Sequence, residues 1–78
     1  MLETVSVNLV NQSFDTVQIE VVDEVCQRAV FEGQLLSNTG ITVSLCPDRQ
    51  QRGHMTVYDA AGRAHRYFNL LDETVYLP

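Results

Sequence analysis

Lysine is missing altogether. All five basic residues are arginines (Arg28, Arg49, Arg52, Arg63, Arg66), set against ten Asp and Glu for a formal net charge of −5. An acidic surface repels phosphate backbones and anionic lipid headgroups, so neither nucleic acid nor a charged bilayer surface is expected as a partner. No apolar run approaches the ~18 residues of a membrane span, so no membrane insertion is expected. The opening "MLETVSV" has neither the basic nor the apolar region of a leader. Catalytic signatures are lacking as well. There is no P-loop, no G-x-G-x-x-G, no H-E-x-x-H and no G-x-S-x-G. Neither an internal repeat nor a low-complexity tract is evident. No cofactor, no metal site and no catalytic residue is predicted, and the chain is not expected to be an enzyme.

What is present is a short, moderately apolar chain. Its 78 residues are 45% hydrophobic and 19% charged, which is globular composition, and they are read as one domain spanning 1–78. A domain of this size buries only about 60% of its unfolded surface, so a bridge, a metal or a partner is expected to reinforce it.

The dominant pattern is alternation with period two, the mark of half-buried strands. Val5, Val7 and Leu9 share one face; Val17, Ile19 and Val21 another; Ile41, Val43 and Leu45 a third. Met55 with Val57, Phe68 with Leu70, and Val75 with Leu77 complete six such segments. "NQSFD", "SNTG", "PDRQQRG", "DAAG" and "LDE" punctuate them. "DAAG" (Asp59 to Gly62) has the composition of a type I turn closed by a left-handed glycine. Regularly spaced strands with turn signals between them predict an all-β fold, an immunoglobulin-like β-sandwich of about seven short strands.

One segment contests that prediction. Val22, Val25, Cys26, Ala29 and Val30 fall at helical spacing, with Asp23 and Gly33 as caps, so the alternative is a small α+β domain with a helix over Glu24–Glu32. Val25, Val30 and Phe31 favour an irregular strand instead, and strands flank the segment on both sides.

Cys26 and Cys46 are the only cysteines, 20 residues apart. That spacing suits neither a zinc finger with His54 and His65 nor a C-x-x-C redox pair. A disulfide or two buried thiols remain. Cys46 points away from the Ile41/Val43/Leu45 face, and Cys26 opens its segment one step off the Ala29/Phe31 phase. Both positions favour a staple over a core filler. A tight hairpin across "SNTG" would set Cys46 opposite Phe31, so a Cys26–Cys46 disulfide requires the chain to cross from one sheet to the other there. Such bridges persist in oxidising compartments, which places the chain in the periplasm or outside the cell, with a leader removed; a cytoplasmic location is the alternative.

His54 and His65 flank the "DAAG" hairpin. With the glycine bulge, His54 aligns near Phe68 and His65 near Val57, on opposite faces; without it, both share a face with Tyr58 and Tyr67. Tyr58, Arg63, Arg66 and Tyr67 form a candidate interaction patch, against the plainer reading of cross-strand pairing. "NQS" at Asn11–Ser13 matches a glycosylation sequon. The functional expectation is a non-catalytic secreted or periplasmic module that binds an unidentified protein partner, by a sheet face or by strand addition at an edge such as "TVYLP". The alternative is a cytosolic acidic protein that blocks a basic site on another protein.

Overall fold

The computed structural model describes residues 4–77. Seven strands follow one another: β1 (Val5–Asn11), β2 (Val17–Asp23), β3 (Arg28–Leu35), β4 (Thr39–Leu45), β5 (Gly53–Tyr58), β6 (Ala64–Leu70) and β7 (Glu73–Tyr76). They form two sheets, one in the order β4-β1-β7 and the other β3-β2-β5-β6. Among the described residues there is no helix. The expected all-β sandwich is therefore the observed one.

The immunoglobulin-like refinement does not follow from this strand order. In the constant-type layout the third strand pairs with the sixth, and the fourth lies at the edge of the first strand's sheet. Here β3 is the hairpin partner of β2, and β4 pairs directly with β1. The last strand, β7, runs parallel to β1, whereas every other pairing is antiparallel.

The sandwich closes because β1, β2, β4 and β5 bury alternate apolar side chains. Val5, Val7 and Leu9 of β1, Ile19 and Val21 of β2, Val43 and Leu45 of β4, and Met55 and Val57 of β5 meet in one core with Leu35, Leu70 and Val75. Among the described residues no aromatic side chain is fully buried. Phe31 and Tyr67 only pack against the core's margin, and Phe68 lies 63% exposed. This corrects the expected Phe68/Leu70 face. Asn69 takes a left-handed conformation (φ 56°) and the β5–β6 register shifts between Gly53 and Met55. The phase therefore flips, leaving Tyr67 and Leu70 inward and Phe68 outward.

The Glu24–Glu32 segment is a turn and a strand. Asp23 caps it as expected, its Oδ1 accepting the N–H groups of Val25 (2.9 Å) and Cys26 (3.2 Å). One turn later Gln27 adopts φ 54°, which ends the helical path, and β3 begins at Arg28. Cys26 thus lies in the β2–β3 turn rather than at the opening of a strand. A bulge opposite Val21/Val22 places the irregularity of β3 at Ala29–Phe31.

Candidate binding edge and its surroundings

From Leu35 to Thr39 the chain leaves one sheet and enters the other, the crossing that a Cys26–Cys46 bridge demands. The two sulfurs lie at disulfide distance, with Cα atoms 5.9 Å apart, within the range a disulfide spans. Beside them sits Asp23, wholly buried. Its second oxygen accepts the Cys46 N–H at 2.8 Å. One carboxylate therefore satisfies three backbone donors and ties the β2–β3 turn to the end of β4, alongside the sulfur pair. Asp23, Cys26 and Cys46 also bring three metal-ligating atoms close together, but the sulfurs face each other and the carboxylate is occupied by N–H donors.

At the opposite end Asn11 makes the complementary clamp. Its side chain is 2% exposed, and its Nδ2 donates to the carbonyls of Asp15 (2.8 Å), Leu35 (3.0 Å) and Leu36 (3.2 Å). Its Oδ1 accepts from the N–H and hydroxyl of Ser13. The sequon "NQS" is accordingly a loop clasp: the amide that would carry a glycan is buried and committed to carbonyls.

The two histidines belong to a short repeat that the sequence reading missed. Asp48-Arg-Gln-Gln51-Arg52-Gly-His54 and Asp59-Ala-Ala-Gly62-Arg63-Ala-His65 share D-x-x-x-R-x-H, and their hydrogen bonds correspond one for one. Each Asp N–H donates to the carbonyl of the Arg four residues on, and each Asp carbonyl accepts the N–H three residues on. One carboxylate oxygen takes the N–H groups two and four residues on, and the other meets the histidine Nε2, at 2.6 Å for Asp48–His54 and 3.3 Å for Asp59–His65. The fourth position is left-handed in both, Gln51 at φ 65° and Gly62 at φ 81°. These bonds hold both carboxyls below the usual carboxylate range. At Asp48 the Arg52 N–H contributes most, then His54; at Asp59 it is the Arg63 N–H, with His65 adding less. Aligning the two loops on Asp and His was the signal available in the sequence.

The glycine bulge sets the hairpin register expected for it. His65 pairs with Val57, and the His54 ring lies 6.2 Å from that of Phe68 on the outer face. The Tyr58/Arg63/Arg66/Tyr67 group is thereby divided. Tyr58 and Arg66 share the outer face of the four-stranded sheet, two pairs apart along the ladder with Val57–His65 between them. Tyr67 turns inward, and desolvation there pushes its phenol above the ordinary value. Arg63 stands in the hairpin loop at the end of the sandwich.

Arg63 lines a cleft that the sequence did not announce. Val17, Ile19, Val57 and Leu77 form an apolar floor, with Asp59, Arg63 and His65 at the rim, around ≈ 280 Å³. It opens because the sheets are unequal, three strands against four. On one side β3 and β4 pack together. On the other, β7 has four residues and β6 has seven, and the inward His65 and Tyr67 of β6 are only partly covered. The Leu77 N–H donates to the Val10 carbonyl (2.9 Å). Strand backbone alternates, so Val75 also turns toward β1, and the N–H and C=O groups of Thr74 and Tyr76 face the open side. A second cleft, ≈ 370 Å³, lies between Thr4, Val5, Pro47, Gln51, Leu71 and Asp72 near the other end. Pro78, the last residue of the "TVYLP" edge, lies outside the described residues.

The chain matches no family model, no curated protein and no solved structure.

Proposed function

We propose that this chain is a non-catalytic protein-binding module that receives an extended segment of its partner as an additional strand on β7. The observation that carries this reading is the incomplete three-stranded sheet. It leaves the outward backbone groups of Thr74 and Tyr76 on an edge whose next residue, Leu77, lines an apolar cleft. A strand laid there would satisfy the edge and cover the inner face of β6, the two gains of strand addition. The edge of β4 lacks the second gain, since β3 already packs beneath it. Tyr76, 57% exposed, adds an aromatic contact next to the edge.

A periplasmic or extracellular location goes with this reading, supported by the Cys26–Cys46 pair at bonding distance. A non-catalytic role is supported by the imidazoles: no Ser, Thr or Cys side chain hydrogen-bonds His54 or His65 among the described residues. The alternative of an acidic blocking protein is less well supported, because the carboxylates are dispersed. Asp23 is buried, Asp48 and Asp59 serve their loops, and Glu20 and Glu32 lie on a different sheet from Glu73, with Asp72 in the turn before it.

The test uses Tyr76→Pro, which removes an outward N–H and leaves the β1 ladder intact. A partner retained by the wild-type chain is expected to be lost by this variant, and its binding is expected to protect the Thr74 and Tyr76 amides from hydrogen exchange. A partner held equally well by both chains would refute strand addition at β7.

A further inference from the structure

We infer that the segment received at β7 places an aliphatic side chain in the Val17/Ile19/Val57/Leu77 cleft and a carboxylate against Arg63. This rests on the strand-addition reading and specifies its partner. The cleft's ≈ 280 Å³ falls short of the ~300–1,000 Å³ typical of small-molecule sites and is open along one side. It suits a side chain delivered by a backbone held at the edge.

The rim decides the charge. Three ionisable groups stand there, Asp59, Arg63 and His65. Asp59 is fully engaged: one oxygen takes the N–H groups of Ala61 and Arg63, and the other meets His65. Among the described residues the Arg63 guanidinium has no carboxylate within ion-pair distance; the pairs found there are Asp48–His54 and Asp59–His65. A molecule of net charge −5 thus places an arginine that is in no ion pair at the rim of this apolar cleft, close to a free edge. A carboxylate on the incoming strand supplies the complement through charge-assisted hydrogen bonds that a planar guanidinium donates well. A basic residue in the same place would be repelled.

The experiment titrates the ¹⁵N-labelled chain with two blocked hexapeptides, Thr-Val-Thr-Val-Thr-Asp, whose Val and Asp side chains share one face of an added strand, and the same peptide with Lys for Asp. Amide shifts at Thr74, Tyr76 and the Arg63 loop are followed, with Kd taken from each titration. The expected result is shifts at these positions and about fivefold or greater preference for the acidic peptide. Arg63→Gln, whose backbone N–H to Asp59 is retained, abolishes the preference, and Tyr76→Pro abolishes binding of both peptides. Thr74→Pro, at the other outward position, replaces Tyr76→Pro should that variant fail to fold by circular dichroism. If both peptides shift β7 equally, the acidic preference is overturned while strand addition stands. If neither shifts β7, both fall. If sedimentation shows a dimer whose β7 amides are protected without peptide, the occupant is a second copy and the inference is overturned.

Discussion

Asn11 and Asp23 clamp opposite ends of the sandwich with inverse chemistry: the amide of Asn11 donates to three carbonyls, and the carboxylate of Asp23 accepts from three N–H groups. Buried polar groups cost most when a partner is removed. Asn11→Ala is therefore expected to destabilise by about 2 kcal/mol, read as a lower urea midpoint. Asn11→Asp is expected to be worse at neutral pH, because it turns a carboxylate toward the same carbonyls. Its folded-state pKa would be raised, so its stability is present below the unfolded value of about 4 and is lost as pH rises through the folded one. Asp48 and Asp59 have the opposite sign. Their folded values are depressed, chiefly by the Arg52 and Arg63 N–H groups, so their contribution is present above about pH 4 and is lost as pH falls through the folded values. Urea midpoints followed downward from pH 5 should fall for wild type and fall less for Asp48→Asn/Asp59→Asn. Equal slopes would show that the loop carboxylates do not titrate with folding.

At the scale of elements, the paired D-x-x-x-R-x-H loops offer an internal control. Both need a left-handed fourth position, but one supplies Gln51 and the other Gly62. A residue with a Cβ costs roughly 1 kcal/mol there, so Gln51→Gly is expected to stabilise and Gly62→Gln to destabilise by comparable amounts under that figure. Thermal unfolding of the two variants checks this; shifts in the same direction would mean that the loops are not equivalent. The strands were legible in the sequence wherever side chains alternate without interruption. Val5/Val7/Leu9 and Ile41/Val43/Leu45 face the core as their spacing says, and "DAAG" closes its hairpin with the expected glycine. Legibility failed where the backbone breaks phase: at Asn69, which turns Phe68 outward, and at the bulge of β3, which erases the Ala29/Phe31 face. A left-handed Asn or a bulge costs little locally and leaves no compositional trace, so period counting passes straight over it. The candidate site was less legible still. The "TVYLP" edge was visible as a terminal strand, but its neighbours in the cleft come from β2, β5, β6 and the β5–β6 loop, which only the topology assembles. That assembly also dissolves the Tyr58/Arg63/Arg66/Tyr67 patch, because Tyr67 and Tyr58 point through opposite faces of one sheet.

For the molecule as a whole, the question is what keeps so slight a core folded. Its buried hydrophobic side chains are all aliphatic or Met, all come from strands, and are shared between two sheets joined by short crossings. A disulfide across the 20-residue separation of Cys26 and Cys46 would contribute roughly 3 kcal/mol in the chain-entropy model, against a total of ~5 kcal/mol at the low end for small domains. Asp23 spans the same gap with hydrogen bonds alone, so the fold does not rest on sulfur entirely. Cys26→Ser/Cys46→Ser is therefore expected to fold at low temperature, with the strand spectrum retained and the urea midpoint roughly halved. Asp23→Asn on that background turns an N–H₂ donor toward the N–H of Cys46 or of the turn, and is expected to unfold the chain. The same measurement bears on compartment. A native protein with no titratable thiol and a midpoint that collapses on reduction belongs where oxidants keep the bridge closed. Two free thiols and a midpoint indifferent to reductant would instead assign the sheet-to-sheet tie to Asp23 alone and return the protein to a reducing environment.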